Sequence, residues 1–302
     1  MKRISVQIEE LDSRQMQRIA ESVGDCECLW GGVLEGCEIV FGNPDPKVLA
    51  RAADTKWVQL ESVGFGEYLD LDWSAPERPP TITNLAGFFA DPVAETALAG
   101  ILALGRGLDR LLRHQEHAVW VGDPIRAGLR LLRDANVVML GNGAINQRLA
   151  ELLAPFGCGI TRFDSSATHW DIEQALPSAD IFVAAVPDTP ATRGLMNEHR
   201  LGLLPPHGVF VNLGRGSLVD EAALARALRT QRLGGAVLDV TKNEPLPGAH
   251  PLWTCPNTIL TQHSGGGTAD EMDRKIDHFL SNLARYRAGQ PLTGTIDLGR
   301  GY

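Results

Sequence analysis

The stretch Val137-Val138-Met139-Leu140-Gly141-Asn142-Gly143-Ala144-Ile145-Asn146 decides the fold. Its apolar start reads as a strand covered on both faces, the glycines as a tight turn, and the residues beyond as a helix ending near Phe156. A strand, a glycine turn and a helix in that order bring backbone N–H groups and the positive end of a helix to one point, where a pyrophosphate fits. Gly141 permits the turn, while Gly143, Ala144 and Ile145 offer backbone to the ligand. Asn146 stands where a third glycine would let helix and strand pack closely. Its Cβ and amide are expected to widen that contact.

Working outward, the next strand, 159–163, ends at Asp164. A carboxylate there accepts from both ribose hydroxyls of NAD and repels the 2′-phosphate of NADP. Asp164 also suits a turn or helix cap, and the neighbouring Arg162 and His169 leave NADP open. Further apolar runs at 181–185, 208–213, 234–240 and 258–260 read as strands, with a helix at 221–229 between two of them. On the other side, 4–8, 38–41, 57–60 and 81–84 read as strands and 12–23 as a helix. Strands alternating with helices imply parallel pairing with helical crossovers. Residues 92–114 read as one long helix, with Asp91 as N-cap and Pro92 at its first position. Its apolar face (Ala94, Ala97, Leu98, Ile101, Leu102, Leu108, Leu111, Leu112) is wider than one small domain needs, so a homodimer through this region is expected. Residues 268–287 read as a final amphipathic helix.

The 302 residues suit two domains, each large enough for its own core. With 28 Lys+Arg against 37 Asp+Glu, the net charge of −9 argues against a nucleic-acid or anionic-lipid partner. No apolar stretch approaches the roughly 18 residues of a membrane span, and the start Met1-Lys2-Arg3-Ile4-Ser5 lacks a secretory pattern, so a cytoplasmic location is expected. Five scattered cysteines, without C-x-x-C spacing, read as reduced thiols and give no metal site.

Three segments after buried strands carry the chemistry: Asn212-Leu213-Gly214-Arg215-Gly216, Leu238-Asp239-Val240-Thr241-Lys242-Asn243-Glu244, and Thr261-Gln262-His263-Ser264-Gly265. In open α/β sheets, ligands bind at the carboxyl ends of strands. Arg215, between two glycines, offers a permanently charged fork for a carboxylate, or else a structural ion pair. His263, followed by an open Ser264-Gly265-Gly266-Gly267 loop, suits proton exchange near neutral pH, with Glu244 as the partner that orients its ring. A hydrogen-bonded structural histidine is the other reading.

These features, in order with Lys56-Trp57-Val58-Gln59, Val63-Gly64-Phe65-Gly66, Pro92-Val93-Ala94-Glu95, Pro187-x-Thr189-Pro190-x-Thr192-Arg193, Glu244-Pro245-Leu246 and His250-Pro251-Leu252-Trp253, make the chain resemble the D-isomer-specific 2-hydroxyacid dehydrogenases. The resemblance covers nearly the whole chain. It implies a Rossmann doubly wound parallel-sheet domain at 87–265, binding NAD or NADP, inserted into a smaller flavodoxin-like α/β substrate domain made of 1–86 and 266–302. It places the catalytic set on Arg215, Glu244 and His263, and the substrate carboxylate on the backbone of Val63 and Gly64 with Arg215. Asp239 would lie near the nicotinamide, and Val186, Pro187, Thr192, Leu213, Gly214, His263 and Gly265 would line the cofactor. The implied reaction is hydride transfer between nicotinamide and a 2-oxo acid or D-2-hydroxy acid, with His263 as general acid. Asn142, Asn146 and Gln262 depart from the family's pattern. Gln262, where proline commonly precedes the histidine, is expected to loosen the turn that aims it. An NAD(H)-sensing, corepressor-like binding protein is the competing function, and a non-catalytic family member the third. Substrate choice depends on residues 63–68 and aromatics such as Phe88, Phe89 and Trp120.

Overall fold

The computed structural model describes residues 2–69, 71, 73 and 79–298. In chain order its first elements are β1 (Arg3–Gln7), α1 (Ser13–Ser22), β2 (Glu27–Trp30), β3 (Ile39–Gly42), α2 (Pro46–Leu49), β4 (Trp57–Gln59) and β5 (Thr81–Thr83). There follow α3 (Ala90–Gly105), α4 (Leu108–Glu116), β6 (Asn136–Leu140), α5 (Ala144–Leu153), β7 (Gly159–Phe163), α6 (His169–Ala175) and β8 (Ile181–Ala184). The last are α7 (Glu198–Leu203), β9 (Val209–Asn212), α8 (Glu221–Arg229), β10 (Gly235–Leu238), β11 (Thr258–Leu260) and α9 (Glu271–Arg287). They form two compact units, one from Met1–Phe88 with Thr268–Tyr302, the other from Phe89–Gly267.

The first unit carries a parallel five-stranded sheet in the order β2-β1-β3-β4-β5, the flavodoxin-like arrangement. Asp12 caps α1, exchanging bonds with Gln15 in a capping box. The chain returns to this unit through α9, whose Phe279 stacks on Phe41 at 4.3 Å between ring centroids and lies 5.6 Å from Trp57. Beneath the rings, the buried Asn282 donates to Gln59, which also accepts from Thr83. Every member of that polar set has a partner, so its burial is tolerated.

The second unit is a six-stranded parallel sheet in the order β11-β10-β9-β8-β6-β7. The strand order reverses between β6 and β8. In doubly wound sheets such a reversal opens a ligand crevice at the carboxyl ends. Apolar side chains cover both faces, around Phe182 and Phe210 on one and Met139, Val183 and Val211 on the other.

Two expectations need correction, and one strand was not expected. Residues 92–114 do not make one helix: Gly107 adopts φ +66, which ends α3 and starts α4 afresh. Asp91 is not the cap, because α3 begins at Ala90, two residues earlier than expected, and places Asp91 and Pro92 within its first turn. The apolar face divides accordingly, with Ala94, Ala97 and Ile101 buried while Leu108, Leu111 and Leu112 are exposed. Finally, β2 is a strand that the pattern concealed, half-exposed and without a continuous buried run. Among the described residues no helix is long and apolar enough to cross a membrane.

Candidate active site at the carboxyl edge of the six-stranded sheet

The turn after β6 is set by close backbone approach. Gly141 adopts φ +99, and a Cβ there would sit 2.5 Å from the carbonyl oxygen of Ala185, so only glycine fits. Its N–H donates to Phe163 of β7. Asn142, Gly143 and Ala144 are exposed at the start of α5, where the first N–H groups have no helical partner. The turn is thus a cradle sized for an anion, and these residues fit a dinucleotide pyrophosphate.

At the end of β7, Asp164 is exposed and accepts from the backbone N–H and hydroxyl of Ser166, both at Oδ1. Those two bonds hold its carboxyl below the usual carboxylate range. After β8 come Val186 and Pro187, and the Pro187 carbonyl accepts from the Thr192 hydroxyl at 2.7 Å.

After β9 the chain makes the Gly214-Arg215-Gly216 turn. The fully buried Asn212 fixes both sides of it, accepting from Gly214 N–H and donating to the Arg215 carbonyl at 3.0 Å. A Cβ at Gly216 would fall 1.9 Å from the carbonyl carbon of Thr241, so this turn and the loop after β10 touch through backbone. Arg215 is exposed. Its Nη1 donates to Gly214 O, and among the described residues it has no salt bridge, which disfavours the structural ion pair.

His263 Nδ1 lies 2.6 Å from Glu244 Oε2, and the other oxygen of Glu244 accepts from Thr241 N–H at 2.8 Å. Burial pulls the Glu244 carboxyl upward. The bonds from His263 and Thr241, with the charges of His263 and Arg215, outweigh that and hold it below its ordinary value. One carboxylate therefore feels both candidate cations. A cleft of about 560 Å³ adjoins the pair, lined among others by Asp239, Leu246, Trp253 and Leu260.

The histidine loop hangs on Asp239, at the end of β10. Its buried carboxyl accepts from the Thr261 hydroxyl at 2.6 Å and from Gly265 N–H at 2.9 Å, while its carbonyl accepts from His263 N–H at 2.5 Å. Gln262 and His263 both take positive φ, +55 and +57. Proline, locked near −65°, has no access to that conformation, so the loop is a different turn and not a loosened version of a proline-bearing one.

Residues 98–265 match the family model described as D-isomer specific 2-hydroxyacid dehydrogenase, NAD binding domain. The chain belongs to the D-isomer specific 2-hydroxyacid dehydrogenase family. Membership makes it an oxidoreductase that interconverts a 2-hydroxy acid and a 2-oxo acid with a nicotinamide cofactor. Among relatives, it is 31% identical over 270 residues to a hydroxyphenylpyruvate reductase of Plectranthus scutellarioides, covering 85% of each chain. It is 30% identical over 262 residues to a glyoxylate reductase of Thermofilum pendens, covering 82% of this chain and 76% of that one. A family protein from Aeromonas salmonicida superposes with a TM-score of 0.80 at 27% identity, over 98% of this chain and 99% of that one.

Within the family frame, the catalytic and cofactor residues that the sequence singled out in 89–267 all follow strands of one parallel sheet or, for Thr192, bond to a loop that does, whereas Phe89 and Trp120 lie before the sheet's first strand. Val63 and Gly64 lie in the other unit, after β4, where their carbonyls accept from Asn84 and Ser62 respectively. Tyr68, within the stretch expected to shape the substrate pocket, is fully buried and bonds to the Pro44 carbonyl, so it belongs to the core. Sequence reading missed the turn-fixing roles of Asn212 and Asp239. Each is a polar residue ending a buried strand, which is the signal that was available.

Proposed function

We propose that the protein reduces a 2-oxo acid to a D-2-hydroxy acid with Arg215, Glu244 and His263 as its catalytic set. The observation that carries this reading is the 2.6 Å contact between His263 Nδ1 and a Glu244 carboxylate that also feels the charge of Arg215. A bound reduced nicotinamide supplies the hydride to the carbonyl carbon. Glu244 accepts from Nδ1–H, which leaves Nε2 of the imidazolium to give its proton to the carbonyl oxygen. Arg215, without a carboxylate partner among the described residues, holds the substrate carboxylate, and in the other unit the backbone N–H groups of Val63 and Gly64 are the substrate-binding groups. Hydride and proton together convert C=O to CH–OH, and the same groups run the reverse reaction.

Gly141, Gly143, Ala144 and Ile145 hold the pyrophosphate, and Asp164 the adenine ribose. Val186, Pro187, Thr192, Leu213, Gly214, Asp239, His263 and Gly265 line the nicotinamide half. The ionised Asp164 favours NAD over NADP. Residues 87–265 form the cofactor domain; 1–86 and 266–302 form the substrate domain. The protein works as a cytoplasmic homodimer through the 92–114 region. Support for that contact comes from Leu108, Leu111 and Leu112, which are 48%, 37% and 60% exposed. Light scattering should give twice the chain mass at micromolar concentration, and a monomer would refute the contact.

The decisive test is oxidation of NADH and NADPH against glyoxylate, hydroxypyruvate, pyruvate and hydroxyphenylpyruvate. Turnover with at least one is expected, and His263→Ala should lower kcat by at least about a hundredfold. Cofactor binding without turnover of any 2-oxo acid, or near-normal turnover in His263→Ala, would overturn the reading.

A further inference from the structure

Asn146 is fully buried in the first turn of α5, yet it is polar and sits where a smaller residue would pack. Its Nδ2 donates to two successive carbonyls of the preceding turn, Leu140 at 3.0 Å and Gly141 at 2.8 Å. The next residue continues the pattern, Gln147 Nε2 donating to the Asn142 carbonyl at 2.8 Å and Gln147 N–H to Gly143 at 3.0 Å. Four consecutive carbonyls, 140 to 143, are thus held by two neighbouring residues of the helix.

The Asn146 Oδ1 is buried and has no partner among the described residues. An unsatisfied buried acceptor destabilises a fold, and alanine or glycine here would avoid that cost. The amide orientation is nonetheless fixed, since turning it over would set Oδ1 against two carbonyl oxygens.

A trans peptide points its C=O and the following N–H in opposite directions. Fixing the carbonyl of Leu140 therefore directs Gly141 N–H the other way, and it does reach Phe163 O on β7 at 2.8 Å. Fixing the carbonyls of Gly141 and Asn142 likewise aims the N–H groups of Asn142 and Gly143 away from the helix. Those residues are exposed, and nothing lies within 4 Å of a Cβ at Gly143.

We propose that Asn146, assisted by Gln147, is a positioning residue for cofactor binding: a side-chain clamp that holds the turn's carbonyls inward so that its N–H groups are already aimed at a pyrophosphate. The clamp rests on the proposed dinucleotide site. It acts through the turn and touches no reacting atom, so it governs affinity for the cofactor and not the chemical step.

The test is NADH titration by fluorescence, with amide hydrogen exchange of residues 141–144 in the cofactor-free protein. Asn146→Ala should weaken NADH binding about tenfold, the loss expected from two hydrogen bonds at partial compensation. Exchange at Asn142 and Gly143 should quicken, and kcat at saturating NADH should stay within about twofold of the parent. Asn146→Ser keeps one donor and should recover about half of that loss on a logarithmic scale. Gln147 is exposed, so Gln147→Ala folds and should weaken binding about two- to threefold, which keeps the test decisive if Asn146→Ala does not fold. Unchanged affinity in the folded Asn146→Ala variant, or in Gln147→Ala should the former not fold, would overturn the clamp. If the parent protein binds no NADH, the dinucleotide reading fails by itself, and exchange at Asn142 and Gly143 still decides whether the turn is clamped.

Discussion

Glu244→Gln is the sharpest probe of the proposed proton donor, because the carboxylate uses both oxygens. Oε2 faces His263 Nδ1 at 2.6 Å, and Oε1 accepts from Thr241 N–H at 2.8 Å. Glutamine has nearly the same shape but one acceptor. If its oxygen stays with Thr241, its NH2 faces Nδ1 and demands an unprotonated nitrogen there, which excludes the imidazolium. If its oxygen turns to His263, Thr241 N–H loses its acceptor and the bond to His263 becomes neutral. A charge-assisted bond exceeds a neutral one by about 1 to 2 kcal/mol, at the lower end here because the pair is partly solvated. At neutral pH this is about a five- to thirtyfold loss in kcat for 2-oxo acid reduction. Glu244 is held below its ordinary value by its bonds to His263 and Thr241, so the pair is intact at and above the ordinary carboxylate value and is lost only as pH falls through the lowered one. Steady-state reduction rates from pH 5 to 9 in parent and variant are the assay. A variant within twofold of the parent across that range would refute the argument.

Asp164→Ser should raise kcat/KM with NADPH relative to NADH by about tenfold, because the carboxylate that repels a 2′-phosphate is gone; competitive rates with the two cofactors check this. Phe279→Ala removes a fully buried ring that stacks on Phe41 and should cost about 3 to 5 kcal/mol in urea unfolding monitored by circular dichroism. Gln262→Pro forces φ from +55° to near −65° beside the histidine, and kcat should fall at least about tenfold, whereas Gln262→Gly, which accepts positive φ freely, should retain the parent rate. Equal activity of the two Gln262 variants would show that this backbone does not aim His263.

Legibility followed local pattern more than burial. Strands 159–163 and 258–260, the two edges of the six-stranded sheet, and helix 221–229 agree with the structure residue for residue, because short runs with β-branched or aromatic residues bounded by glycine, proline or asparagine and an amphipathic helix each leave a local trace. β2 left none: Glu27, Cys28 and Leu29 are only half-buried at a sheet edge, and the eye goes to the two cysteines instead. The break after α3 was overlooked because Leu108, Leu111 and Leu112 extend the apolar spacing across Gly107, although those leucines face solvent. At the site, the residue types that do chemistry stand out after strands, whereas the groups that shape it do not. Asn212, Asp239 and Asn146 act by bonds to backbone a few residues away, and such bonds have no period to detect.

The environment of Arg215 shows how an acidic protein keeps one cation available. Asp188 is the nearby competitor for it, and its carboxyl feels the charge of Arg215. Yet Arg193 grips both Asp188 oxygens, Nε to Oδ1 at 2.8 Å and Nη2 to Oδ2 at 3.0 Å, and the Ser217 hydroxyl adds a bond at 2.7 Å. Those contacts lower the Asp188 carboxyl to about 2, the Arg193 bond foremost and Ser217 next. Glu244 is likewise committed, between His263 and Thr241. With both neighbouring carboxylates saturated by other donors, neither gains much by reaching Arg215, and its planar fork stays open to a carboxylate from solution. In a chain of net charge −9 the overall field opposes an anionic substrate. Attraction must therefore be local, and under the proposed function it is Arg215, whose acidic neighbours are already hydrogen-bonded elsewhere, that supplies it.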